Sequence, residues 1–86
     1  MEPIASIDES EPYSVDSTAI YAMPDGTFIL AGARWMFVLG WREYEMTSYD
    51  SLDELFTDIG PTGDSDYMYN PSFEGVKALR KQIEER

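Results

Sequence analysis

The stretch Ala33-Arg34-Trp35-Met36-Phe37-Val38-Leu39 is the longest apolar run in the chain and its densest aromatic segment, so any fold must first find a place for it. It is far too short to span a membrane, and its length alone does not separate strand from helix. The aromatics, the bounding Gly32 and Gly40, and strand-like segments on both sides point to a strand buried in a sheet.

Residues 18–23 and 27–31 read as two strands joined by Pro24-Asp25-Gly26. Proline presets φ for the first turn position, and glycine supplies the left-handed residue that a type I turn with a bulge requires, so a hairpin is expected there. Gly32 permits a second tight reversal into the strand over 33–39. Residues 41–47 then alternate, with Arg42, Tyr44 and Met46 on one side and Trp41, Glu43 and Glu45 on the other. Tyr44 and Met46 are expected to face the core, which leaves both carboxylates in water, and the turn is placed near residues 39–42.

Two helices follow. Ser51-Leu52-Asp53-Glu54 has the capping-box pattern, and Leu52, Leu55, Phe56 and Ile59 recur at helical spacing, with Asp53, Glu54 and Asp58 on the solvent side. Gly60-Pro61 is expected to end that helix. Residues 62–70 read as a loop. Asn70-Pro71 reads as a cap and first turn, and Phe73, Val76, Leu79 and Ile83 as the stripe of a final helix whose Gly75 leaves its first turn dependent on packing. Strands followed by helices indicate an α+β class, namely a four-stranded antiparallel β-meander over about residues 18–47 with a short helix and a C-terminal helix packed on one face. Residues 1–16, with five acids, two prolines, three serines and no base, are expected to be an acidic, poorly ordered arm, and residues 17–86 a single domain.

Composition narrows the chemistry. Cysteine and histidine are absent, which removes thiolate sites, most zinc sites, Ser-His and Cys-His nucleophile systems and the usual neutral-pH base. The loop at Asp64-Ser65-Asp66 fails the calcium template. Counting from Asp64, the sixth position is Tyr69 and the twelfth Gly75; counting from Asp66, the twelfth is Lys77. Among seventeen acids some pair always lies at a hydrolytic separation, so nothing selects a carboxylate dyad. Gly60-Pro61-Thr62-Gly63 lacks the lysine of a phosphate loop. The chain is therefore expected not to be an enzyme and to carry no cofactor or metal. The start shows no basic region leading into an apolar segment, and a cytoplasmic location is expected, the host cytoplasm if the chain is phage-encoded.

What remains is charge. The net charge is −11, which disfavours direct contact with nucleic acid or an anionic membrane and favours a basic surface. Residues 71–86 hold Lys77, Arg80, Lys81 and Arg86 against three glutamates, whereas residues 1–70 hold only Arg34 and Arg42 against fourteen acids. Asp50, Asp53, Glu54, Asp58, Asp64 and Asp66 follow one another without a base, and Glu43 and Glu45 stand just before them. Alternate carboxylates on one strand lie about 6.7 Å apart, against about 3.4 Å per phosphate along a nucleic-acid strand, so imitation of a phosphate backbone needs strand, helix and loop together. Tyr67 and Trp41 join these acids as partner-binding candidates. Tyr67 either packs on a partner's basic side chains or closes the core beneath its loop. Trp41 is either an exposed anchor among acids or, if the turn includes it, a structural residue folded over the sheet edge.

In composition, being compact, acidic and free of cysteine, the chain resembles phage or mobile-element inhibitors of host defence nucleases, including anti-CRISPR and anti-restriction proteins. That resemblance implies a small acidic inhibitor or adaptor docked on a basic, nucleic-acid-binding surface of another protein. The alternative is a structural or assembly subunit forming a homodimer through its apolar sheet face or its C-terminal helix, the acids serving solubility.

Overall fold

A computed structural model describes residues 2–59 and 71–86. Four strands, β1 (Ala5–Ser10), β2 (Val15–Ala22), β3 (Phe28–Met36) and β4 (Trp41–Tyr49), are followed by helices α1 (Leu52–Ile59) and α2 (Phe73–Glu84). The strands form one antiparallel sheet in sequence order, an α+β meander. Ala5, Ile20 and Leu30 from the sheet, Leu55, Phe56 and Ile59 from α1, and Val76 and Leu79 from α2 make a single core, so both helices lie on the same face. Each fully buried aliphatic side chain there contributes about 1.5–3 kcal/mol.

Which segments supply the four strands differs from the sequence reading. Residues 27–31 and 33–39 are not two strands: β3 runs straight through Gly32, which pairs with Thr18 on one side and Glu45 on the other. The remaining strand comes from the segment expected to be an arm. In β1, Ala5 and Ile7 turn toward the helices while Ser6 and Asp8 turn away, the period-two pattern of a half-buried strand. The first turn of α2 lies close over β1: a Cβ on Gly75 would sit 2.7 Å from Ile7 Cδ1 and 2.9 Å from Glu9 Oε1. Glycine is what this approach requires, and it outweighs the helix-propensity cost.

The outer edge of β1 is closed by side chains from α2 and from the chain end just after it. The Gln82 amide accepts from the Ser6 backbone N–H at 2.9 Å and donates to the Ser6 carbonyl at 2.8 Å, and Arg86 donates to the Ile4 carbonyl at 3.1 Å. Edge groups that would otherwise be open to another strand are thereby occupied. Ser72 caps α2: its hydroxyl accepts from Gly75 N at 3.0 Å, and Pro71 precedes the cap. The Glu9 carboxylate in turn accepts from Ser72 N at 2.9 Å and from the Ser72 hydroxyl. Phe73 leaves the expected apolar stripe and stands half-exposed beneath Lys77, its ring 5.2 Å from the ammonium.

The hairpin at Pro24-Asp25-Gly26 forms as its residues dictate. Gly26 N donates to the Met23 carbonyl, Met23 N to the Thr27 carbonyl, and Gly26 has φ +90°. Asp25 accepts from both the hydroxyl and the amide of Thr27, which hold its carboxyl below the ordinary range. At Ser51 the hydroxyl accepts from Glu54 N at 3.1 Å, while the Glu54 carboxylate reaches one residue beyond the cap, to Asp50 N. Leu55, Phe56 and Ile59 are buried as the spacing predicts. The expected stop at Gly60-Pro61, the loop over 62–70 and the Asn70 cap position lie outside the described residues.

Candidate functional site

The β4–α1 end of the molecule carries most of the acids singled out from the sequence. Strand β4 is the last in the sheet, and α1 begins two residues later and packs on β3 and β4. Residues 43–59 contain six acids and no base. Asp50, Asp53, Glu54 and Asp58 are exposed on and beside α1. Two of them are held in place: Asp58 accepts from the Tyr49 hydroxyl, and Glu54 accepts from Asp50 N. Glu45 lies four residues before Tyr49, about 13 Å along the strand, so the carboxylates form a line along this end rather than one knot. Asp64, Asp66 and Tyr67 lie outside the described residues.

Glu43 and Glu45 are not in open water as expected. Register fixes the phase of β4: Leu30 and Phe28 face the helices, so their cross-strand neighbours Thr47 and Tyr49 face them too, and with these go Glu45, Glu43 and Trp41. Both glutamates are half-buried, and Oε2 of Glu45 is buried without a hydrogen-bond partner among the described residues. Tyr44 and Met46, expected in the core, are instead 71% and 69% exposed on the opposite side of the sheet. Trp41 shares the glutamates' side, as alternation requires; it opens β4 outside the turn and is partly exposed.

Base is not absent from this neighbourhood. Glu9, Asp16, Arg34 and Glu43 fall in one cross-strand row, where Arg34 grips Asp16 through Nε at 2.8 Å and Nη2 at 3.1 Å. Glu43 stands in register with that guanidinium, and the Arg80 guanidinium of α2 lies over the Phe56 ring of α1 at 4.2 Å, so the run from Glu45 to Asp58 is free of base in sequence but has one cation beside α1.

The apolar sheet face of the alternative reading is made by residues that were not foreseen. The face of the sheet away from the helices is floored by Ser17, Ala19, Ala31 and Ala33 at the centre of β2 and β3. Around this floor stand Tyr21 at one end, Val15 and Trp35 at the other, and Tyr44 and Met46 along β4. The shallow hollow over the alanines measures about 230 Å³. Arg42 lies over the Trp35 ring at 4.8 Å, and Phe37 meets the same ring edge-on at 6.0 Å. That contact joins the face to the β3–β4 turn, where Leu39 N and Gly40 N bond to the carbonyls of Met36 and Phe37, and Gly40 has φ +64°. The apolar run of 33–39, expected as the buried strand, is thus the end of β3 plus an exposed hairpin tip, Leu39 being 73% exposed. Its signal in the sequence was the small residues at alternate positions, Ser17, Ala19, Ala31 and Ala33, opposite Tyr44 and Met46.

Among the described residues no group of carboxylates is arranged to hold a metal ion, and no helix is long and apolar enough to cross a membrane. No family model matches the chain, nor does any curated protein or any solved structure.

Proposed function

We propose that the protein is a small acidic binding protein, an inhibitor or adaptor that docks its β4–α1 end on a basic surface of another protein and blocks it sterically and electrostatically. The observation that carries this reading is the run of carboxylates from Glu45 to Asp58, free of any base in sequence. Two of them, Glu54 and Asp58, are held by hydrogen bonds, which lowers the ordering cost of meeting arginine or lysine. A nucleic-acid-binding groove is a surface of matching sign, and the compact, acidic, cysteine-free composition resembles that of phage or mobile-element anti-defence proteins acting in the host cytoplasm. The role asked of the acids is fast, oriented encounter and selection against acidic partners.

The test is a pull-down with the tagged protein from lysate of its source cells, run beside Asp53→Lys/Glu54→Lys. A partner carrying a basic surface is expected on the native protein at about 50 mM salt, strongly depleted at about 500 mM, and depleted by the double charge reversal. A partner retained equally by both proteins and at both salt concentrations overturns the proposal.

A further inference from the structure

We propose that the open face of the sheet is a homodimer interface, in which Tyr44 and Met46 of each copy seat on the Ala19, Ala31 and Ala33 floor of the other, about a two-fold axis running along the strands between β3 and β4.

The distribution of charge points there first. In a two-layer antiparallel sheet the helix-covered face is ordinarily apolar and the open face polar. Here, among the strand residues, the helix side carries Glu9, Asp16, Arg34, Glu43 and Glu45, whereas the open side carries Asp8 and Arg42. Both of those are engaged within the chain, Asp8 by the Ser17 hydroxyl at 2.6 Å and Arg42 by Trp35. A chain of net charge −11 has thus kept one broad face neutral. A basic partner has no reason to choose that face over the acidic end, while a second neutral face has.

Relief points to an identical partner. A two-fold interface must be self-complementary, each patch meeting its own image. Tyr44 and Met46 project from β4, and in the next two columns the cross-strand rows fall to Ala33 and Ser17, then to Ala31 and Ala19. An axis lying along the strands between β3 and β4 carries the ridge of one copy over the floor of the other in the same rows. The two sheets then pack in the aligned manner, about 10 Å apart. This operator also brings both hairpin tips to the same end, covering Trp35 and Phe37.

About this axis β4 of one copy lies over the groove between β2 and β3 of the other, and β1 overhangs beyond β4. Between two and three strands about 4.8 Å apart and seven residues long then overlap, roughly 280 Å² in projection. Side-chain relief and the hairpin tips add to this, so the contact belongs at the small, weak end of the interface range, below the ~800 Å² per partner of a stable one. Edge-to-edge pairing is the poorer route, because two β4 strands side by side would bring Glu43 and Glu45 of both copies together, and the β1 edge is occupied by Gln82.

Sedimentation equilibrium of the full chain over about 1–200 μM tests this, a span chosen to meet interfaces of this size at their weak end. Twice the 9.8 kDa chain mass is expected at the upper concentrations. Met46→Lys is expected to weaken association at least about tenfold. Met46→Gln, which brings no charge to the two-fold axis, is expected to weaken it as well. Ala31→Leu makes the face more apolar but raises the floor, and is expected to weaken association as well; Glu84→Lys, on the far side of α2, leaves it unchanged. Circular dichroism identifies any variant that fails to fold. A native protein that stays at 9.8 kDa throughout overturns the proposal, including when another protein is found on this face. Tighter association of Ala31→Leu overturns it too, since that is the mark of unspecific stickiness. Asp53→Lys/Glu54→Lys should still dimerise, so failure here and failure of the acidic docking are read from different variants.

Discussion

Gly75→Ala sets two effects of similar size against each other. Alanine is favoured over glycine inside a helix by about 1 kcal/mol, so a helix considered alone would gain. In the folded protein the added methyl would lie 2.7 Å from Ile7 Cδ1 and 2.9 Å from Glu9 Oε1. Neither neighbour yields freely: Ile7 packs against the core, and the Glu9 carboxylate is committed to the amide and hydroxyl of Ser72. Overpacking of this kind costs about 1–3 kcal/mol, so the expected net result is destabilisation of about 1 kcal/mol, seen in urea unfolding as a lower midpoint at unchanged slope. Ile7→Val removes the closest obstructing atom and by itself costs about 0.5–1.5 kcal/mol. In that background the Gly75→Ala penalty should shrink by at least about 0.5 kcal/mol, a coupling that a double-mutant cycle isolates. Stabilisation by the whole propensity increment, equal in both backgrounds, would refute the close approach of α2 to β1.

Ser72→Ala removes the α2 cap and the anchor of Glu9, with an expected loss of about 1–2 kcal/mol in the same assay; an unchanged midpoint contradicts the capping assignment. Leu30→Ala should cost about 2–5 kcal/mol, whereas Met46→Lys should leave the stability of the monomer within about 0.5 kcal/mol. Comparable losses would mean that the facing of β3 and β4 is wrong. Hydrogen bonds from Thr27 lower the Asp25 pKa below 3.8. Its contribution to stability is therefore complete above the unfolded pKa and lost as pH falls through the folded one. Thr27→Val should move the Asp25 titration, followed by NMR, upward toward the ordinary value, and an unmoved titration would contradict the turn geometry.

Features fixed by adjacent residues were legible in the sequence. The Pro24-Asp25-Gly26 turn, the Ser51 cap and the buried stripe of α1 each depend on a few neighbours, and all stand where their residues put them. Features fixed across the sheet were not. Both faces of β4 carry large side chains, Tyr44 and Met46 on one and Trp41 and Tyr49 on the other, so alternation gave the two sets but not which was inside. Pairing of Thr47 with Leu30 and of Tyr49 with Phe28 decides that. Gly32 resembled a reversal because glycine weakens a strand locally, yet its pairings on both sides hold β3 together. In β1 the alternation of Ala5, Ser6, Ile7 and Asp8 was present but outweighed by the acidic composition around it. The same difficulty hid which residues make the apolar open face, since the side turned from the helices is ordinarily the polar one.

The central claim is that carboxylates at the β4–α1 end govern recognition, and the salt dependence of partner affinity tests it most directly. With the captured partner purified, Kd is measured between about 100 and 400 mM salt for the native protein and for Asp53→Lys/Glu54→Lys. Kd should rise by about tenfold or more for the native protein, with the variant starting weaker and rising less steeply. A Kd flat across that range and unaltered by the charge reversal would contradict the account.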